Sequence, residues 1–80
     1  MAFDIVTLAV QYIQQTYVDS LKASGKFTKE AQVAARDSCV KLVKNLMNDE
    51  IKDFISVTYG DLDSWVIATI ESVIYNNKKN

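Results

Sequence analysis

The chain has 80 residues, of which 49% are apolar and 24% are charged, and its formal net charge is -1 at pH 7. This is the composition of one small globular domain, residues 1–80, and it excludes intrinsic disorder along the whole chain. The balanced charge provides no overall field for nucleic acid or an anionic membrane, and the absence of histidine removes the commonest general base and metal ligand.

The first segment predicts one helix of about twenty residues. Asp4 can serve as its N-cap, and Gly25 can adopt the left-handed conformation that ends it. Ile5, Leu8 and Tyr12 make its apolar arc wider than one neighbouring helix covers, so part of this arc is expected to face a partner chain. The main apolar stripe recurs at three- and four-residue steps and comprises Val6, Val10, Ile13, Tyr17 and Leu21.

A second helix is predicted from Thr28, its N-cap, to about Met47. We interpret Cys39 on this helix as a small buried hydrophobe, because no imidazole partner exists for a catalytic thiol. The short link between the first two helices makes them antiparallel neighbours, so an αα-hairpin begins the domain. The apolar face of the second helix contains Ala31, Ala35, Cys39, Leu42 and Leu46, beside Val43 and Met47, with Ala34 as a further small residue for close approach.

Two further helices are predicted in the second half of the chain. Asn48 is expected to cap a helix that ends at Gly60, and Asp61 or Asp63 to cap a last helix, followed by a frayed tail at 76–80. The alternative is a β-hairpin that turns at Gly60 and Asp61, since the surrounding residues are often β-branched. Helical spacing favours the helices, and we therefore predict an all-α fold, a small bundle of three to four helices.

The block 60–64, Gly-Asp-Leu-Asp-Ser, is similar to the start of a calcium loop. Val66 stands where such a loop needs glycine and Ser72 where it needs its final glutamate, so the pattern fails. One of Asp61 and Asp63 is then expected to cap the last helix, and a partner-facing acidic site is the alternative role. No nucleophile, glycine-rich loop or ligand cluster accompanies the carboxylates, so we predict no catalytic residue, no metal, no cofactor and no enzymatic activity.

The distribution of charge and aromatic residues bears on partners. Basic residues dominate between residues 22 and 44, and acidic residues dominate from 49 to 63. The cations of the second helix are scattered around it rather than aligned in one stripe, which disfavours nucleic acid. Aromatic residues at helical spacing are typical of core or rim positions, and one or two of them, such as Tyr59 and Trp65, are expected to form an interaction hot spot.

Export and membrane insertion find no support in the sequence. Cys39 is the sole cysteine, so no internal disulfide can form, and the first four residues contain no basic region or long apolar stretch. The longest nearly apolar runs, 5–10 and 65–70, are far shorter than the roughly 18 to 20 residues that span a bilayer. A bacterial cytoplasm is the expected compartment.

Three stretches of the sequence are considered together: LAVQYIQQTY at 8–17, YGDLDSW at 59–65 and IESV at 70–73. Together they resemble the soluble C-terminal region of the phage holin LLH family. In that family a helical segment of the type Ala-Val-x-x-x-Glu-Gln-Thr-aromatic and a closing Ile-Glu-x-x-Val helix follow an N-terminal transmembrane helix. The transmembrane helix has no counterpart in these 80 residues, and the resemblance contributes no catalytic residues.

The resemblance implies a phage or prophage protein of Gram-positive bacteria that serves host lysis by self-association. The chain is then either the soluble part of such a holin, at the inner face of the membrane, or a free-standing phage protein that shares this domain. We predict a homo-oligomeric interaction module; an inhibitor that binds a host protein or defence complex, and a nucleic-acid-binding accessory protein, stay open. The predicted partner-binding residues are Ile5, Leu8, Tyr12, Tyr59, Asp61, Asp63 and Trp65.

Overall fold

A computed structural model describes the backbone of residues 2–79 and the side chains of residues 3–76. Within these residues the chain is helical and contains no strand, which confirms the predicted all-α fold and shows that the β-hairpin alternative is wrong. One continuous helical rod comes first, followed by three separate helices. The elements are α1 (Ala2–Ile13), a π-helical segment (Gln14–Val18), α2 (Asp19–Ala23), α3 (Lys29–Leu46), α4 (Asp49–Tyr59) and α5 (Leu62–Lys79).

Local capping interactions set most of the helix boundaries. The Thr28 hydroxyl accepts a hydrogen bond from the Ala31 amide at 3.2 Å, and Asn48 Oδ1 accepts one from the Ile51 amide at 2.8 Å. These bonds satisfy amides that lack partners inside their own helices, as predicted for α3 and α4. Gly25 has a φ of 71° and closes the first rod, which confirms its predicted left-handed conformation.

The two ends of the chain differ from the predicted boundaries. The first helix begins at Ala2, so Asp4 lies in the first helical turn instead of capping it, where a carboxylate still complements the helix dipole. At the other end α5 runs to Lys79, through most of the segment predicted to fray. Fraying of this end stays a prediction, and Asn80 lies outside the described residues.

The bundle is organised around α1 and α5. α1 packs against α3 and α5, α3 also packs against α5, and α4 packs against α5. The helices share one apolar core, and among the described residues no polar or charged residue is buried. Burial of an aliphatic side chain contributes about 1.5–3 kcal/mol, so packing rather than helix propensity holds these short helices. The core comprises Val6, Ala9, Val10, Cys39, Val43, Met47, Ile55, Val66, Ile70 and Val73.

The π-helical segment changes which residue of the first rod is buried. The Asp19 amide donates a hydrogen bond to the Gln14 carbonyl five residues earlier, instead of four. This wider turn adds one residue and rotates the following side chains by about 100° relative to an unbroken α-helix. Tyr17, predicted on the main apolar stripe, is therefore 36% exposed, and Val18 is buried instead.

The buried face of α3 is rotated slightly from the predicted one. Cys39 is in the core as predicted, and its burial raises the pKa of its thiol to about 11. Leu46, predicted on the apolar face, is 51% exposed, and Ala34 is exposed as well. The fully buried stripe follows four-residue steps through Ala35, Cys39 and Val43, and Met47 at the C-cap continues it. Half-buried Val40 and Leu42 pack beside it.

Candidate interaction surface

The structure separates the predicted partner-binding residues into two groups. The first group lies on α1, where Leu8 is 62% exposed and Tyr12 is 59% exposed. Ile5, also predicted there, is half-buried and packs against the core. Of the three residues on α1 that were predicted to bind a partner, two are therefore large apolar side chains that are accessible to solvent.

Leu8 and Tyr12 lie beside Leu42 and Leu46 of α3 and form a shallow groove. Leu8 and Tyr12 form one pair on α1, and Leu42 and Leu46 form another on α3. The members of each pair are four residues apart, so they lie above one another on one face of their helix. α1 and α3 run antiparallel, and this brings the two pairs side by side. We call this surface the α1–α3 groove, which is lined by Leu8, Ala9, Gln11, Tyr12, Gln15, Leu42 and Leu46, and none of these described residues is charged.

Leu46 is the member of the groove that sequence reasoning missed as a surface residue. Its spacing from Leu42 suggested a core stripe, but Val43 and Met47 form a competing stripe one position later, and that one is buried. Single exposed apolar residues are common in proteins, whereas adjacent ones with a polar rim mark interaction sites. The α1–α3 groove has this arrangement, with Gln11 and Gln15 at its edge.

The second predicted group lies where α4 meets α5. Tyr59 is exposed, Trp65 is half-buried against the core, and their ring centroids are 6.1 Å apart with an interplanar angle of 32°. This spacing is typical of a stabilising aromatic pair. The pair therefore braces the turn at Gly60, and Tyr59 remains available on the surface.

Asp61 and Asp63 both have partners inside the domain. Asp61 Oδ2 accepts hydrogen bonds from the amide and the hydroxyl of Ser64, at 2.9 and 2.8 Å, so it is the cap of α5. Lys44 Nζ donates to Asp63 Oδ1 at 2.8 Å and links α3 to α5. The partner-binding role predicted for these two carboxylates stays a prediction, and each already has a structural role.

The cap at Asp61 predicts a dependence of stability on pH. Its hydrogen bonds with Ser64 hold the pKa of the Asp61 carboxyl below its ordinary value of 3.8. A carboxyl with a lowered folded pKa stabilises the fold above its unfolded pKa, and this contribution is lost as the pH falls through the folded pKa. We expect Asp61→Ala to lower the melting temperature at neutral pH and to lessen the loss of stability in acid.

The control for this prediction is Asp61→Asn. Asparagine can accept the Ser64 amide bond but does not titrate, so this variant should keep most of the neutral-pH stability and show a weaker acid dependence than the wild type. Melting curves by circular dichroism between neutral and strongly acidic pH measure both effects. If the melting temperatures of the wild type and Asp61→Asn fell equally in acid, protonation of the Asp61 carboxyl would not contribute to the loss of stability.

α4 carries exposed apolar residues that were not among the predicted partner-binding set. Val57 is 87% exposed and Phe54 is also exposed. Only the side of α4 with Ile51 and Ile55 packs inward. These residues do not line the α1–α3 groove, so Val57 is a suitable position for control substitutions.

Across residues 2–79, no three histidine, cysteine or acidic side chains come together in a way that could hold a metal ion. No helix in the same range combines the length and the apolar character needed to cross a bilayer.

The chain matches no protein-family model, no curated protein and no solved structure. The resemblance to the phage holin LLH family therefore depends on the three motifs at 8–17, 59–65 and 70–73. The first and second motifs contain the exposed residues Leu8, Tyr12 and Tyr59. Two of these residues, Leu8 and Tyr12, line the α1–α3 groove.

Proposed function

We propose that this chain is a non-enzymatic interaction module that self-associates through the α1–α3 groove. The observation that carries the proposal is the cluster of exposed Leu8, Tyr12 and Leu46 around half-buried Leu42, without a charged lining residue. The centres of protein interfaces are depleted in charged residues and enriched in aromatic ones. Tyr12 is the expected anchor, since tyrosine is a frequent hot-spot residue.

A second copy of the chain is the partner that we favour. In a two-fold interface the same surface is buried on both chains, and an uncharged groove brings no like charges together. The radius of gyration is 13.1 Å, compared with roughly 11.6 Å for a compact chain of this length. The domain is therefore somewhat extended, and a second copy would cover apolar surface that one chain leaves exposed.

In this proposal the module is encoded by a phage or prophage and serves host lysis. The three motifs that resemble the holin family support this assignment, as does self-association, which the resemblance also implies. The groove lies near the start of the chain, close to where the transmembrane helix of such a holin would join. Lateral contact between neighbouring copies would then be made just outside the bilayer.

Sedimentation equilibrium of the purified chain tests the proposal. We expect the apparent mass to rise above 9.0 kDa as the concentration increases from low to high micromolar values. A mass of one chain at every concentration would contradict self-association. If the monomeric chain instead retained one specific host protein, the function would be that of an inhibitor.

A further inference from the structure

A second concave site lies on a different part of the molecule. It is a pocket of about 190 Å³ between the first helical rod, α3 and the second half of α5. Val10, Ile13, Cys39 and Ile70 contribute to its apolar wall. The pocket shares no residue with the α1–α3 groove, so an inference about it stands apart from the proposed self-association.

The π-helical segment keeps this pocket open. Gln14 and Val18 from that segment line the pocket, whereas Tyr17 does not. In an unbroken α-helix the three- and four-residue spacing would direct Tyr17 to the core side, where its ring would occupy such a space. π-helical turns are frequent at functional sites. The irregular turn therefore both redirects Tyr17 and lines the pocket.

The charge at the pocket has one sign. Among the described residues that line it, the charged ones are Lys22 and Arg36, and Gln14 and Gln32 are the other polar ones. Lys22 Nζ lies 5.6 Å from the centroid of the Phe27 ring, which holds this cation at the rim. Arg36 is 43% exposed, and its Nε lies 3.9 Å from Asp37 Oδ1, a distance at the limit of an ion pair.

Acidic residues lie close to one side of the pocket. Glu30 and Glu71 line a neighbouring surface groove, which shares Gln32, Arg36, Ile70 and Ile74 with the pocket. An anion would therefore be attracted to the side of Lys22 and repelled from the side of Glu71. An apolar interior with a cationic rim is complementary to a molecule with an apolar tail and one anionic group.

We propose that this pocket binds a small carboxylate amphiphile of the medium-chain fatty acid class. An apolar cavity of 150 Å³ holds benzene, so the present volume suits a tail of about seven or eight carbon atoms. The tail lies against Ile13, Phe27 and Ile74, the half-buried apolar residues of the lining. The carboxylate accepts hydrogen bonds from Lys22 and Arg36. Arginine is suited to this role because its guanidinium presents paired donors to a carboxylate.

Isothermal titration of the full chain with octanoate, below its micellar concentration, tests the proposal. We expect saturable binding of one molecule per chain. Octyltrimethylammonium, which has the same tail and the opposite charge, is expected to bind at least about tenfold more weakly, since the ion-paired hydrogen bonds are lost. Octyl phosphate distinguishes a carboxylate site from a general anion site: tighter binding of the phosphate would overturn the assignment to carboxylates.

The double variant Lys22→Gln and Arg36→Gln tests the rim without altering the core. Octanoate affinity should fall at least about tenfold, and the melting temperature should change little, because both side chains are exposed. The control is Lys41→Gln, which removes an exposed cation from α3, the helix of Arg36. Lys41 does not line this pocket, so its substitution should leave the affinity for octanoate unchanged. Absence of saturable octanoate binding, or equal affinities of the double variant and the wild type, would overturn the proposal. Sedimentation of the wild type remains the separate test of self-association.

Discussion

Replacing Ile55 with alanine is expected to lower the free energy of unfolding by about 2–5 kcal/mol. Ile55 is 2% exposed and belongs to the shared core. α4 packs chiefly against α5, so Ile55 is the main anchor of this helix, and half-buried Ile51 is the other. A domain of this size has a total stability of roughly 4–12 kcal/mol, so the loss is a large fraction of the whole.

The matched control is Val57→Ala on the same helix. Val57 is 87% exposed, and a surface truncation of this kind changes stability by no more than about 0.5 kcal/mol. Urea denaturation followed by circular dichroism measures both variants against the wild type. Equal destabilisation by the two substitutions would mean that α4 does not pack with the side of Ile55 facing inward.

Replacing Leu8 with glutamate is expected to weaken self-association by at least about 30-fold, the loss that corresponds to a hot-spot residue. The substitution places a charge in the centre of an uncharged groove, and a two-fold interface would bring two such charges close together. Leu8 is exposed in the single chain, so the melting temperature at low concentration should change little. Sedimentation over a range of concentrations gives the dissociation constant.

Two further variants make this prediction specific to the α1–α3 groove. Leu46→Glu changes the opposite wall of the groove and should weaken association in the same way. Val57→Glu introduces the same charge on an exposed apolar residue elsewhere and should leave the dissociation constant unchanged. If Leu8→Glu and Val57→Glu had the same dissociation constant as the wild type, the groove would not be the interface.

Features that depend on near neighbours in the chain were predictable. Thr28 and Asn48 were predicted as caps because short polar side chains are preferred at the start of a helix. In the structure each accepts a hydrogen bond from an amide three residues later. Gly25 was identified because only glycine adopts a positive φ at little cost. Val66, Ile70 and Val73 recur at three- and four-residue steps along the last helix, which is the spacing of a buried stripe, and they are buried.

The candidate surface was predictable only in part. Leu8 and Tyr12 were identified because they exceed the apolar arc that one neighbouring helix can cover. Leu46 was not predicted as a surface residue, because its exposure depends on how α3 is rotated against α1 and α5. The ion pair of Lys44 with Asp63 joins residues 19 positions apart, and spacing along one helix cannot reveal such a contact.

The sequence by itself determined the helical type of the elements and the boundaries between them inside the chain, because caps, glycines and apolar spacing act over three to five residues. Tertiary structure alone decided which faces are covered. The π-helical turn buries Val18 in place of Tyr17 and lines a pocket beside Cys39. The packing of α3 against α1 and α5 leaves Leu46 exposed. These outcomes follow from packing whole helices against one another, where a shift of one residue rotates a side chain by about 100°.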